Sequence, residues 1–230
     1  MITVSNVSLR YGGRKLFEDV NLKFTPGNCY GVIGANGAGK STLINIITNL
    51  MLPNSGSIQI NGLDLSKDYI KAKSIIGLVP QELAIIETLT PFDNLEYFGA
   101  FYGLKGKLLK ERIIEALEVT GLTEVKKKKV KKLSGGMQRR LNIGIALLNH
   151  PKILILDEPT AGLDPGGRDE IFNLIKDLHE KKNMTIILSS HSMDDMAKLA
   201  KTLIVMNHGS VEFMGTPREV FKSNASKLKD

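Results

Sequence analysis

A glycine-rich segment between a short apolar stretch and an amphipathic one constrains this chain more than any other feature. The segment reads GANGAGKS and fits G-x-x-x-x-G-K-[ST], where glycines let successive backbone N–H groups converge on phosphate oxygens. Cys29–Ile33 predicts a strand before it, and a helix of about ten residues is predicted from Lys40. We therefore expect a nucleoside triphosphate site, with Lys40 at the β- and γ-phosphates and Ser41 on Mg²⁺. The expected binding residues are Gly34, Ala35, Asn36, Gly37, Ala38, Gly39, Lys40, Ser41 and Thr42.

Two adjacent carboxylates follow a second apolar segment. Ile153–Leu156 is apolar on both faces, which is typical of a central parallel strand, and Asp157 and Glu158 come directly after it. Ligands of open α/β sheets bind at this carboxyl end of the strands. We expect Asp157 to hold Mg²⁺ through water and Glu158 to orient or deprotonate the attacking water. The alternative is a solvated acidic turn, which the pairing with a phosphate loop disfavours.

The hydrophobic periodicity changes twice along the chain. Ile2–Leu9 and Phe17–Phe24 alternate apolar and polar residues, which predicts two antiparallel strands. Residues 91–149 have a helical period instead. From Ile153 the pattern alternates between strand and helix again.

These patterns predict an α/β fold. We expect a P-loop NTPase core with a mixed, mainly parallel sheet, an antiparallel β subdomain and an inserted all-helical subdomain. We expect one domain that spans residues 1–230. Its core, together with the antiparallel β subdomain, is expected to comprise residues 1–90 and 150–230, and the helical subdomain residues 91–149.

Charge, cysteine content and hydropathy limit the partners and the kinds of site that this chain can have. Thirty-one Lys and Arg against 24 Asp and Glu give a net charge of +7, largely from the lysine-rich run 126–132. Such charge suits nucleic acid, a membrane surface or a phosphorylated ligand, and we interpret the run as a solvated helix end. The single cysteine, Cys29, excludes an intrachain disulfide framework and a cysteine-rich zinc site. No apolar run approaches the roughly 18 residues of a membrane span, so a soluble chain without direct membrane insertion is expected.

The hexapeptide 133–138, LSGGMQ, resembles the signature of ATP-binding-cassette (ABC) ATPases, with Met137 displacing the usual glutamine by one place. Ser134, Gly135 and Gly136 also form an N-cap with two glycines, which is a second anion-binding helix start. Because the chain already has one phosphate loop, this second site is expected to serve another chain's nucleotide. The resemblance implies a head-to-tail dimer in which each signature closes over the partner's ATP. The alternative is an ordinary helix N-cap.

The other motifs of the ABC family occur in the family's order. Tyr11 matches the aromatic residue that stacks on adenine, and Gln81 matches the Q-loop glutamine that contacts Mg²⁺ or the attacking water. Residues 161–164, AGLD, match the D-loop, and His191 matches the switch histidine near the γ-phosphate. The resemblance implies that Glu158, His191 and Gln81 organise hydrolysis. Taken alone, Tyr11 fits a packed turn residue equally well.

Three stretches resemble different branches of that family. Val4–Thr42 is similar to ABC-F translation factors, Leu78–Pro165 to ATPases of multidrug or antibiotic exporters, and the stretch from Arg168 to the end to energy-coupling-factor ATPases. One hypothesis is therefore a mosaic chain, recombined, reconstructed or designed.

The resemblance implies an ATP-binding and hydrolysing subunit of an ABC transporter. Such a chain would dimerise with its own copy or a related cassette around ATP and Mg²⁺. It would drive transmembrane permease subunits from the cytoplasmic face of the membrane, held there by that partner. Two alternatives are a chimeric nucleotide-binding module with weak or uncoupled turnover and a fragment of an ABC-F-like factor. A nucleic-acid partner, which predicts salt-sensitive RNA binding, is not favoured.

Overall fold

The computed structural model describes residues 1–12 and 14–227. Its strands are β1 (Ile2–Tyr11), β2 (Arg14–Phe24), β3 (Cys29–Ile33), β4 (Ser55–Ile60), β5 (Leu63–Asp64), β6 (Ile76–Val79), β7 (Ile153–Leu156), β8 (Thr185–Ser190), β9 (Thr202–Asn207) and β10 (Ser210–Gly215). Its α-helices are α1 (Lys40–Ile47), α2 (Tyr69–Lys73), α3 (Pro91–Phe101), α4 (Gly106–Val119), α5 (Gly135–Leu147), α6 (Pro165–Lys182), α7 (Met193–Leu199) and α8 (Pro217–Lys227). Short 3₁₀ turns occupy Thr123–Val125 and Val130–Lys132.

The strands form two sheets. An antiparallel sheet has the order β2-β1-β4-β5, and a larger sheet has the order β10-β9-β3-β8-β7-β6. In the larger sheet, all neighbours are parallel except β9 and β10, which form an antiparallel hairpin. Every residue of β3, β7 and β8 is buried, as expected for central parallel strands covered on both faces. The predicted α/β class is thereby confirmed.

Among the described residues, buried apolar side chains form three clusters. The first lies between the two sheets and includes α1, and the second covers the other face of the larger sheet with α6 and α7. The third lies among α3, α4 and α5 and is built around Leu95, Ile113 and Leu141. Helix α5 contributes to the second cluster through Ile143 and to the third through Leu141. It therefore joins the helical region, defined here as residues 91–149, to the sheet.

The single cysteine lies inside the larger sheet. Cys29 is the first residue of β3 and is 1% exposed, and burial raises the pKa of its thiol to about 12. Within residues 1–12 and 14–227, no helix combines the length and the apolar character needed to cross a membrane.

Candidate active site

The phosphate loop, residues 34–42, leaves the carboxyl end of β3 and enters α1. A Cβ atom on Gly34 would lie 2.4 Å from the Met206 carbonyl oxygen and 2.8 Å from the Ala38 Cβ atom, so no larger residue fits between the loop and β9. Gly39 is the N-cap of α1, with a φ of 104° and no side-chain capping bond. The first N–H groups of α1 therefore have no side-chain acceptor at this cap and are available to an anion.

Lys40 is the first residue of α1, and only 5% of its surface is exposed. Its Nζ donates to the carbonyl oxygens of Gly34 at 2.9 Å and Ala35 at 3.3 Å. It also lies 3.3 Å from Oε1 of Glu158. The ammonium group is thus held beside the loop by two neutral carbonyl oxygens, which a phosphate oxygen can replace because a charged acceptor forms the stronger hydrogen bond.

A buried serine organises the two carboxylates. Ser189, at 0% exposure, donates its Oγ–H to Oδ1 of Asp157 at 2.6 Å and accepts the backbone N–H of Glu158 at 2.9 Å. Both acids are 7% exposed. Glu158 has a φ of 46°, in the left-handed region, where a non-glycine backbone is strained. The bond to Ser189 helps to hold that backbone, and sequence reasoning gave Ser189 no role.

Glu158 bridges the phosphate loop to the histidine after β8. One carboxylate oxygen faces Lys40, and the other, Oε2, lies 2.9 Å from Nδ1 of His191. The side chain of Glu158 is 9% exposed whereas that of His191 is 63% exposed. The pair therefore offers a carboxylate in a shielded position beside an accessible imidazole, which is an arrangement suited to positioning a water molecule.

Several of these groups line a cavity of about 600 Å³, although Asp157 and Ser189 are not among its lining residues. Six of its lining residues belong to the loop: Asn36, Gly37, Gly39, Lys40, Ser41 and Thr42. Gln81, Glu158 and His191 line it as well, so residues far apart in sequence meet here.

Lys15 and His208 also line this cavity, although sequence reasoning assigned neither to the site. His208 belongs to the turn between β9 and β10, and the next residue, Gly209, has a φ of 79°. A Cβ on Gly209 would lie 1.5 Å from the Leu16 carbonyl oxygen, so the turn packs tightly on β2. The run Asn207-His208-Gly209 between two apolar stretches, which is typical of a hairpin turn, was the available sequence signal.

The signature residues lie elsewhere. Ser134 is the N-cap of α5, and its Oγ accepts the backbone N–H of Met137 at 3.2 Å, as the N-cap prediction requires. Ser134 and Gly135 are exposed, and neither they nor Gly136 line the 600 Å³ cavity. Tyr11 is paired with Arg14 through the backbone of β1 and β2, but its side chain lies outside the part of the chain that the structure describes.

The predicted metal ligands form an oxygen set. Ser41, Gln81 and Asp157 offer a hydroxyl, an amide and one carboxylate; Ser41 and Gln81 line the same cavity, whereas Asp157 is not among its lining residues and its Oδ1 accepts the Ser189 hydroxyl. Mg²⁺ is bound in this way when substrate phosphates supply further oxygens. The described residues contain no group of three or more His, Cys, Asp or Glu placed to hold a metal. The donor set therefore fits a Mg²⁺ ion bound together with phosphates.

Comparison with known proteins gives consistent matches. Residues 17–161 match the family described as ABC transporter. An energy-coupling factor transporter ATP-binding protein EcfA2 of Clostridioides difficile is 54% identical over 224 residues, which cover 94% of this chain and 77% of that protein. The linearmycin resistance ATP-binding protein LnrL of Bacillus subtilis is 40% identical over 220 residues, covering 96% of this chain and 70% of the relative.

Solved structures agree in fold. CbiO1 of Clostridium perfringens, described as part of the ABC transporter complex cbiONQ, superposes with a TM-score of 0.89 at 30% identity, covering 99% of this chain and 93% of that one. The ATP-binding cassette MJ0796, solved as a dimer in a post-hydrolysis state with ADP and Pi, superposes with a TM-score of 0.82 at 29% identity, covering 95% and 99%.

The mosaic hypothesis is not borne out, because single relatives align with almost the whole chain, through all three stretches. The comparisons also give no support to a module without useful turnover or to a translation-factor fragment. The chain therefore belongs to the ABC transporter family, in which it is a transporter subunit that binds and hydrolyses ATP.

Proposed function

We propose that Glu158 activates the water that attacks the γ-phosphate of ATP, with His191 and Gln81 positioning that water. One observation carries this proposal: the shielded Glu158 carboxylate contacts both Lys40 and His191 at the wall of the phosphate-loop cavity. Lys40 would leave Glu158 for the incoming phosphates, which frees the carboxylate oxygen for a proton. Ser189 would keep the Glu158 backbone fixed during this exchange.

The same cavity supports the assignment of the nucleotide contacts. The phosphate loop, residues 34–42, would bind the phosphates through its N–H groups and Lys40. Ser41, Gln81 and Asp157 would hold Mg²⁺, which supplies neutralisation of the phosphate charge when it is bound. Tyr11 would stack on adenine.

We further propose that two chains assemble head to tail around ATP. The exposed Ser134 and Gly135 at the start of α5, together with Gly136, form an anion-binding helix start outside the chain's own cavity. A two-fold pair would place each such start over the partner's γ-phosphate. The dimeric form of the similar MJ0796 cassette supports this arrangement.

The partners beyond that dimer are proposed to be transmembrane permease subunits, with this chain at the cytoplasmic face of the membrane. Support comes from similar proteins, one described as an energy-coupling factor transporter protein and one as part of an ABC transporter complex. We propose 91–149 as a unit that transmits motion to such a partner, relative to the core of 1–90 and 150–230. Two aromatic side chains of α3 in that unit are open to contact, Phe101 at 80% and Tyr97 at 54% exposure.

The test is light scattering of Glu158→Gln with and without Mg-ATP. Because the amide keeps its size but cannot accept the water's proton, ATP remains bound and turnover falls by about 10²–10⁴-fold. A mass near twice 25.3 kDa only with ATP is expected. Adding Ser134→Glu in the same chain is the control, since it keeps the phosphate loop but blocks the signature. A Glu158→Gln chain that binds ATP yet stays monomeric would contradict the head-to-tail dimer, and unchanged phosphate release would contradict the role of Glu158.

A further inference from the structure

A buried arginine joins the signature helix to the backbone that carries Gln81. Arg139 lies on α5 and is 5% exposed. Its NH1 donates to the carbonyl oxygen of Pro80 at 2.9 Å, and its NH2 donates to that of Gln81 at 2.8 Å. Both acceptors directly follow β6, and the Gln81 side chain lines the nucleotide cavity.

Burying this guanidinium costs free energy, because the charged group loses its hydration. A buried arginine at this position therefore calls for a structural explanation. Burial lowers the pKa of Arg139, and no charged group in the described part of the chain compensates for that effect. Within the described residues, its hydrogen-bond partners are two successive carbonyl oxygens, which the two arms of a rigid, planar guanidinium contact together. The pairing therefore fixes the orientation of residues 80 and 81 relative to α5.

Helix α5 carries both the signature residues and the arginine that contacts the Gln81 backbone. Helix α5 begins at Gly135 with the exposed signature start, and Arg139 follows within little more than one helical turn. A movement of this start would therefore carry the Arg139 side chain with it. Gln81 would follow, because its backbone is tied to that side chain.

We propose that Arg139 is a positioning residue that couples the two ATP sites of a dimer: when the start of α5 closes on the partner's nucleotide, Arg139 moves Gln81 into place at the chain's own nucleotide. The inference rests on the proposed function, since it uses the roles of Gln81 and Ser134 given there. It assigns to Arg139 an effect on turnover that acts through Gln81 and leaves ATP binding to the phosphate loop intact.

Arg140 provides a matched control on the next position of the same helix. Its NH1 donates to the Thr120 carbonyl oxygen at 3.0 Å, and its NH2 lies 3.4 Å from Glu170, so its recorded contacts do not involve residues 80 and 81. Both arginines anchor α5, but only Arg139 reaches the segment that carries Gln81. Effects that arise from loss of an anchor alone should therefore be shared by the two variants.

The experiment measures phosphate release against ATP concentration for Arg139→Met, Arg139→Lys and Arg140→Met, each alone and with Gln81→Ala. Misplacement of Gln81 by about an ångström predicts a fall in kcat of about 10²-fold for Arg139→Met, with KM changed less than about threefold. Arg139→Lys should recover part of kcat, and Arg140→Met should keep it. In the Gln81→Ala background, Arg139→Met should have no further effect on kcat, because the group it positions is already gone.

A second readout does not depend on turnover. Hydrogen exchange of the full chain should show ATP-induced protection both in the phosphate loop and at residues 81–84, and Arg139→Met should lose only the latter. If Arg139→Met fails to fold, Arg139→Lys decides the matter by the same two readouts.

Three results overturn the inference. They are equal losses of kcat in Arg139→Met and Arg140→Met, multiplied losses when Arg139→Met and Gln81→Ala are combined, and protection at residues 81–84 that Arg139→Met leaves unchanged. An unchanged kcat in Gln81→Ala alone overturns the proposed role of Gln81 as well. A loss in Gln81→Ala without one in Arg139→Met leaves that role standing and removes only the coupling by Arg139.

Discussion

Helices α1 and α5 both have glycine at or next to their first residue, and the chain surrounds these two helix starts differently. At α1, Gly39 provides no side-chain cap, Lys40 is buried, and the start opens on a cavity that Glu158 also lines. At α5, Ser134 caps the helix with its own hydroxyl and is exposed. Both helix starts present backbone N–H groups. In the part of the chain that the structure describes, only at α1 do other segments build a cavity around them. Under the proposed dimer, the same kind of helix start would bind the chain's own nucleotide at α1 and the partner's nucleotide at α5, so the surroundings of a motif would decide which anion it binds.

The largest expected effect on turnover comes from substituting the α1 start in one chain and the α5 start in another. Lys40→Met and Ser134→Glu should each lower turnover by about 10²–10³-fold, because each removes or reverses charge stabilisation at the γ-phosphate. If the starts serve different chains, a mixed dimer contains one site with both starts intact. An equimolar mixture should then recover about a quarter of wild-type turnover, from half of the dimers with half of their sites.

Phosphate release from the mixture and from each variant alone is the measurement. Ser134→Thr serves as the control, because threonine also caps helices and carries no charge. A mixture as inactive as its components would show that both starts act on the nucleotide of their own chain.

A smaller effect is expected on folding, where the glycines of the phosphate loop differ in their surroundings. Gly34→Ala places a Cβ 2.4 Å from the Met206 carbonyl oxygen and should cost about 1–3 kcal/mol, because the loop must move away from β9. Gly37→Ala meets no atom within 4 Å but keeps a φ of 81°, which should cost about 1 kcal/mol. Gly135→Ala at the other start touches only the end of the Leu163 side chain at 3.3 Å and should change least. Urea unfolding of the three variants checks this order, and a Gly135→Ala loss exceeding that of Gly34→Ala would contradict it.

The smallest effect concerns an ion-pair cluster between the helical region and the end of α6. Glu115 of α4 accepts a hydrogen bond from Lys182, at the end of α6, at 2.6 Å and lies 2.6 Å from Nε2 of His150. Burial acts to raise the pKa of Glu115, but the hydrogen bond and charge of Lys182, with the charges of His150 and Arg112, outweigh it, and the net pKa is lowered.

A carboxylate whose pKa is lower in the folded state stabilises that state above its unfolded pKa of about 4.3 and loses this contribution as the pH falls through the folded pKa. Since Glu115 is 37% exposed, Glu115→Gln should cost no more than about 1 kcal/mol at pH 7. The difference from wild type should shrink below about pH 4. Urea unfolding at both pH values measures it, and His150→Gln separates the part due to His150. An equal difference at both pH values would mean that the Glu115 charge is not involved.

Sequence reasoning located the residues whose role follows from a local pattern. The phosphate loop, the Asp157-Glu158 pair and the Ser134 cap were all placed on the expected elements, because each depends on its immediate neighbours in the chain. The strands β9 and β10 were not predicted, although a glycine turn separates two apolar runs there. The side chain of Tyr11 lies beyond what the structure describes, so its role stays a prediction.

Contacts between distant segments were out of reach of local patterns. Ser189 lies beside Asp157 because β7 and β8 pair with Leu156 opposite Leu188, and that register is a property of the assembled sheet. Arg139 meets the carbonyl oxygen of Gln81 across 58 positions of sequence for the same kind of reason. Residues that orient other residues are therefore missed more easily than those that belong to a motif.

The burial of Cys29 has a practical consequence. Because its thiol is shielded within β3 and its pKa is about 12, almost none of it is thiolate near neutral pH, and thiol reagents should leave it unmodified. The chain has no other cysteine. A single cysteine introduced on the exposed surface would thus be the one labelled position, without removal of any native residue. A spin or fluorescent probe attached near the start of α5 would then follow the approach of two chains in real time.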